Sequence, residues 1–366
     1  MFRVIVTAFA AVMILPAATR GVVQTLDATV TARVEQMLPP DVVNTDTAYE
    51  QLGDTTGNLP LLADARLIEG GYPDSGAGAS ARLADPRLAQ TADPAEIGLA
   101  AVANSHYGPS SWIASGSAGE TRQIVFTAGE IGEPEGTALV ARSYFFLDGV
   151  LVLWHQAGGI DLTDAAAEIA VRVEQTTTDD PQPVAVLAAS MTLTGQPDGT
   201  AVLAAAGSLV PENAVLFDIS DLVPQLGTVQ LVVLPKLAIP YEYAARVGQA
   251  FTLEALVDAR IDSPSRAGAA VVVGPSLEDI TALLSDVAGA DVGGPLAAIL
   301  DTFIKAAPVP ARPLTAAHAS TTVTVAASTP TLATWPGTLC GLVGAEAMIG
   351  MALGAGCIGL ARRRGR

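Results

Sequence analysis

Phe251-Thr252-Leu253-Glu254-Ala255-Leu256-Val257-Asp258-Ala259-Arg260-Ile261-Asp262 alternates residue by residue. Phe251, Leu253, Ala255, Val257, Ala259 and Ile261 point one way. Thr252, Glu254, Leu256, Asp258, Arg260 and Asp262 point the other. Successive side chains of an extended strand face opposite sides of a sheet, so this period of two sets one face on a core and the other in water. A helix would scatter the same residues around its whole circumference.

Upstream the same pattern recurs. In Glu168–Glu174, Ile169, Val171 and Val173 share one face, and Glu168, Arg172 and Glu174 the other. Val229–Leu234 is a continuous apolar run, suited to a strand covered on both faces. Met191–Thr194 and Thr200–Ala204 flank a Pro197-Asp198-Gly199 turn. Arg142–Leu147 and Val150–His155 are aromatic and β-branched runs separated by Asp148-Gly149, which predicts a hairpin, because both residues of a type I′ turn need positive φ. Many strands with turn signals between them predict a mainly β fold over residues 95–274, an antiparallel β-sandwich with the jelly roll among its forms.

Downstream the period changes. Ser276 and Asp279 resemble a capping box, and Leu277, Ile280, Leu283, Leu284 and Val287 share a helical face. Gly293-Gly294-Pro295 breaks the pattern. Pro295 can open a second helix carrying Leu296, Ile299, Leu300, Phe303 and Ile304. Residues 275–305 are thus expected to form two short helices, packed on the sandwich or set as a hairpin near a membrane; a misread β unit is the third option. Residues 306–336 are Ala/Thr/Pro/Ser-rich with almost no charge and read as an extended stalk, with Thr321, Thr322, Thr324, Ser328 and Thr329 as glycosylation candidates. On the N-terminal side, Val22–Val34 alternates in part. The remainder of 22–94, with Pro39-Pro40, Gly70-Gly71 and a Gly/Ala/Ser-rich run at 75–84, reads as a loop-rich segment with short strands.

The two ends predict export. Residues 1–21 have the order of a secretory signal peptide: Arg3, an apolar run Val4–Leu15 too short for an ordinary span, then Pro16, Ala17, Ala18 and Thr19. At the other end Trp335-Pro336-Gly337 precedes an uncharged run broken only by Glu346, and Arg362, Arg363, Arg364 and Arg366 follow. Thr338–Ala361 is long enough for a single transmembrane helix across a hydrocarbon core of ~30 Å. Trp335 sits at the interface, and the arginines hold the C-terminus in the cytoplasm. Glu346 and six glycines make this a weak span. An ionised acid near its centre costs on the order of 3 kcal/mol, so Glu346 enters uncharged or lies near the outer leaflet. Gly350 and Gly354 form a GxxxG pair.

Motif, single apolar span and arginine cluster, in that order, resemble the C-terminal sorting signals of exosortase and archaeosortase substrates, the PEP-CTERM-like families. The resemblance covers residues 337–366 and the motif before them. Trp335-Pro336-Gly337-Thr338 stands where those families carry Pro-Glu-Pro. It implies a sorting protease-transpeptidase as partner, cleavage of the tail and transfer to the cell surface or extracellular matrix. A plain membrane anchor with Trp335, Pro336, Gly337, Glu346, Arg362, Arg363 and Arg364 in the same places is the other reading.

Charge and cysteine usage agree with an exterior location. The chain holds 19 basic and 37 acidic residues, and Lys236 and Lys305 are its only lysines. Such a surface repels nucleic acid and anionic lipid. Cys340 and Cys357 both lie in the tail, ~25 Å apart along a helix and far beyond disulfide reach, so the middle of the chain relies on its core alone.

No catalytic or cofactor-binding constellation stands out. His106, His155 and His318 have no partners at metal-ligand spacing. Gly116-Ser117-Ala118-Gly119 lacks the nucleophile-elbow pattern and reads as a polar turn. Asp179-Asp180-Pro181 sits in a turn context, and Ca²⁺ is the one cofactor such acidic loops invite. Tyr107, Trp112 and Trp154 are a sugar-stacking platform or core residues. The expectation is an exported cell-surface or matrix protein with a structural or adhesive role. The alternative is a carbohydrate-binding module or glycan-acting enzyme on the same scaffold, with polysaccharide as partner.

Overall fold

The structure is a computed structural model that describes residues 14–15, 22–38, 40–52, 61–69, 72–83, 99–105, 108–222, 226–274, 309–311 and 321–325. Two sheets pack face to face. The first contains nine strands, ordered Val215–Asp218 (β12), Val229–Arg246 (β13), Ala138–His155 (β8), Ala267–Val273 (β15), Ala100–Ser105 (β6), Tyr72–Leu83 (β5) and Leu61–Glu69 (β4), with Ile14–Leu15 (β1) beside β8 and Val309–Pro310 (β16) beside β13. The second has eight: Thr321–Val325 (β17), Ala201–Gly207 (β11), Val184–Gly195 (β10), Ala166–Thr177 (β9), Ala250–Ser263 (β14), Ser111–Val125 (β7), Val22–Leu38 (β2) and Asp41–Leu52 (β3). All pairings are antiparallel except the short additions β1 and β16. The one described α-helix is the single turn Ala128–Ile131.

The stretch that opened the sequence reading is β14, at the centre of the second sheet between β7 and β9. Phe251, Leu253, Ala255, Val257, Ala259 and Ile261 are buried in the inter-sheet core, and Glu254, Arg260 and Asp262 are exposed. Ile169, Val171 and Val173 of β9 fill the same core. The run Val229–Leu234 is buried throughout, as a strand covered on both faces requires.

Four expectations are corrected. Residues 22–94 are not mainly loops: β2, β3, β4 and β5 occupy long stretches of them and complete both sheets. Their core side chains are small, with Ala63 and Ala65 on β4 and Ala77, Ala79 and Ala81 on β5, so the apolar alternation is faint in the sequence. Asp148-Gly149 is not a hairpin turn, because β8 runs through it unbroken. Gly149 is needed for a different reason: a Cβ there would lie 2.7 Å from the Val272 carbonyl oxygen and 2.9 Å from Ile169 Cδ1. Gly116-Ser117-Ala118-Gly119 lies within β7 rather than in a turn. Finally, β16 and β17 fall inside the segment read as a stalk, and add themselves to β13 and β11. The expected helices over 275–305, the signal peptide apart from Ile14–Leu15, and the tail lie outside the described residues.

The flank formed by β3 and β4 shows how exposed edges are managed. An unpaired edge strand offers N–H groups to any other chain. Here the Glu50 carboxylate of β3 accepts the Leu62 N–H at 3.0 Å, and Asp46 accepts the Arg66 N–H at 2.8 Å. The free edge of β13 is treated in a similar way. The Gln175 side-chain carbonyl accepts the Ala244 N–H at 3.0 Å, and its amide donates to the Ala244 carbonyl, so one side chain substitutes for a missing strand.

Candidate functional site

The candidate residues of the tail, Trp335, Pro336, Gly337, Glu346, Arg362, Arg363 and Arg364, lie outside the described residues. Chemistry-bearing groups within the sandwich fall into three places.

The first is inside the core. Residues 112, 114, 116, 118, 120, 122 and 124 of β7 face the opposite sheet; Trp112, Ala114, Ala118 and Ile124 belong to the inter-sheet core. Glu120 and Arg122 are in phase with them. Glu120 is flanked in register by Ala28 on β2 and Ala255 on β14, two side chains that leave room for a carboxylate. Its Oε1 forms an ion pair with Arg122 Nη2 at 2.7 Å. Burial raises the carboxyl above its ordinary range, opposed by the charge of Arg122. The Trp112 Nε1 is buried without a partner.

The second is a polar chain at the β2–β3 end. Asn44 donates to the Gln36 carbonyl at 2.6 Å. Gln36 donates to the Ser110 hydroxyl at 2.9 Å, and Ser110 donates to Glu69 at 2.5 Å. Strands of both sheets are thereby joined through one buried amide.

The third is on the outer face of the first sheet. Asp148 and Phe146 alternate with the core residues Leu147 and Phe145 and so point outward. Lys236, at a bulge in β13 opposite them, places its Nζ 5.5 Å from the Phe146 ring centroid. Burial pushes the Asp148 carboxyl up to about 6, with Lys236 opposing.

These groups are not brought together. Glu120 faces the inter-sheet space and Asp148 the far side of the first sheet, so the two buried carboxyls cannot flank one bond as a glycosidase pair must. Among the described residues no group of three or more His, Cys, Asp or Glu could hold a metal ion, and no helix is long and apolar enough to cross a membrane.

Of the histidines, His155 ends β8, with its Nδ1 2.9 Å from the Gln156 carbonyl; His106 and His318 are outside the described residues. Asp179 and Asp180 lie between β9 and β10, where Asp179 accepts from Arg246 at 2.7 Å and Asp180 accepts from the Gln182 N–H at 3.2 Å. Trp112 and Trp154 are fully buried, which removes them from a sugar-stacking platform; Tyr107 is outside the described residues. The Glu120–Arg122 pair is not among the sequence-derived candidates, because the adjoining Gly116-Ser117-Ala118-Gly119 reads as a polar turn. The available signal was the even-numbered series Trp112, Ala114, Ala118 and Ile124, which carries both charges onto the apolar face.

No family model matches the sequence, and no curated protein matches it. Among solved structures, the chain aligns with one titled "Structure of infectious bursal disease virus Gx strain", at 10% identity over 71% of this chain and 66% of that chain, with a TM-score of 0.08. A likeness at that level carries no argument.

Proposed function

We propose that the chain is an exported cell-surface or extracellular-matrix protein, in which the β-sandwich is a structural or adhesive body and the C-terminal tail anchors or sorts it. The observation that carries this is the order of the chain: a secretory-type N-terminus, a thiol-free acidic middle, and a tail in which Trp335-Pro336-Gly337, an apolar span and Arg362-Arg363-Arg364 follow one another. The sandwich supports it physically. Its core runs through both sheets and needs no disulfide, and its edges carry side chains that cap free backbone groups. The partners are the membrane through the tail helix, a sorting protease-transpeptidase, and surface polysaccharide.

Two measurements test it. A reporter fused after Pro336 is expected outside the cell, and one fused after Arg366 inside; both on one side defeats the topology. Mass spectrometry of the protein from its native host is expected to find a C-terminus near Trp335 or Pro336. If only chains ending at Arg366 are recovered, the tail is a permanent anchor and the sorting step is withdrawn.

A further inference from the structure

At the centre of the first sheet, where β13, β8 and β15 lie side by side, both faces are buried. Its inner face is the inter-sheet core. On its outer face, Val233, Val150 and Val272 form one lateral row across β13, β8 and β15, and Leu231, Val152 and Ala270 form the next. None of the six belongs to the inter-sheet core, yet their exposures are 0–1%. The cover fades one strand further on, where Val102 and Asn104 of β6, opposite Val272 and Ala270, are half-buried.

The path of the chain names the occupant. Just past β15 the Gly274 N–H donates to the Asp148 carbonyl at 2.9 Å, and the chain leaves the sheet on that side of β8. It returns as β16, paired with Leu237 and Ala238 of β13, on the other side of β8. Leu237 is opposite Leu147, so departure and return flank the same point of β8, next to the two buried rows. The connecting residues 275–308 carry the two amphipathic patterns ending at Val287 and Ile304. A sheet face of Val, Leu and Ala matches the apolar stripes of such helices, and the sheet-with-helix layer is a standard way to bury both.

We propose that residues 275–308 dock through these stripes on the outer face of β13, β8 and β15, making the sandwich a three-layered β/β/α body. The segment is then an integral layer of the domain and not a hairpin held near a membrane.

The test uses the full chain with Cys340 and Cys357 replaced by serine and one reporter cysteine added. In Val272→Cys the thiol is expected to react with a maleimide at least a hundredfold more slowly than in Val184→Cys, whose site is exposed. Adding Leu284→Glu and Phe303→Glu should accelerate labelling at position 272 at least tenfold. The same pair should leave a Val171→Cys reporter in the inter-sheet core protected, which separates undocking from unfolding. Rapid labelling at 272 in the parent chain, or protection there that Leu284→Glu/Phe303→Glu does not change, overturns the proposal. If those two substitutions expose 171 as well as 272, single Leu284→Glu is measured in its place under the same criterion.

Discussion

The two halves of the sandwich solve one packing problem with different side chains. Where β7 and β2 face β4, β5 and β6, the core is mostly Ala28, Ala32, Ala63, Ala65, Ala79, Ala101, Ala103 and Ala114, with Val30, Val34, Leu61 and Trp112 as its larger members. The sheets come so close there that a Cβ on Gly116 would lie 2.7 Å from the Val102 carbonyl oxygen and against that of Ser80. Where β8 and β13 face β9, β10 and the start of β14, the core is leucines and aromatics. Phe126 and Phe251 have ring centroids 5.6 Å apart, and Tyr243 and Phe251 5.4 Å. Side-chain volume sets the spacing in each half. The small-residue half is vulnerable to added atoms and the large-residue half to removed ones.

Charge sharpens the contrast. Arg122→Ala is expected to have the largest effect, roughly 3–5 kcal/mol, because it strands Glu120 in the core; urea denaturation measures it. A mild loss would mean that Glu120 escapes to water. Phe126→Ala should follow at ~3–5 kcal/mol from cavity formation in the aromatic half. Asp148 is tested by pH. Below its ordinary value of 3.8 the carboxyl is neutral in both states, and above about 6 it is charged in both. Between them the unfolded chain ionises first, so stability falls as pH rises through this window, by about 3 kcal/mol for a shift of this size. Asp148→Asn should flatten that slope. Gly116→Ala adds one methyl against the backbone of β5 and β6 and should cost ~1–3 kcal/mol. If it costs nothing, the close approach of the sheets is wrong. Glu50→Ala removes the acceptor for the Leu62 N–H on an exposed edge; its expected effect is the smallest, roughly 0.5 kcal/mol, with increased concentration-dependent association seen by light scattering.

The same contrast explains what could be read from the sequence. In the large-residue half, strands announced themselves: Phe251–Asp262 and Glu168–Glu174 alternate strongly, and both lie where the alternation put them. In the small-residue half, alanine alternating with Ser, Gly or Asp gives almost no contrast. The Gly/Ala/Ser-rich run at 75–84 therefore reads as part of a loop-rich segment, although the backbone of Tyr72–Leu83 pairs with β4 and β6. Asp148-Gly149 misled because glycine serves two needs that look alike in sequence, a positive φ and a missing side chain; only the neighbouring β15 shows which applies. The Glu120–Arg122 pair was legible only by trusting the alternation over the polarity of the residues.

The position of β14 bears on the order in which the sandwich can form. The second sheet cannot close until β14, at Ala250–Ser263, is inserted between β7 and β9, and its register with β7 pairs Phe251 with Ile124. Joining residues so far apart in the chain carries a large loop-closure entropy before any contact is made, and folds dominated by such pairings take milliseconds to seconds. A chain threaded across a membrane unfolded is served by that delay. The early strands β7 and β9 lack their shared neighbour until residue 263 is available, so the topology keeps the second sheet open until β14 arrives, a delay that would serve the export proposed above.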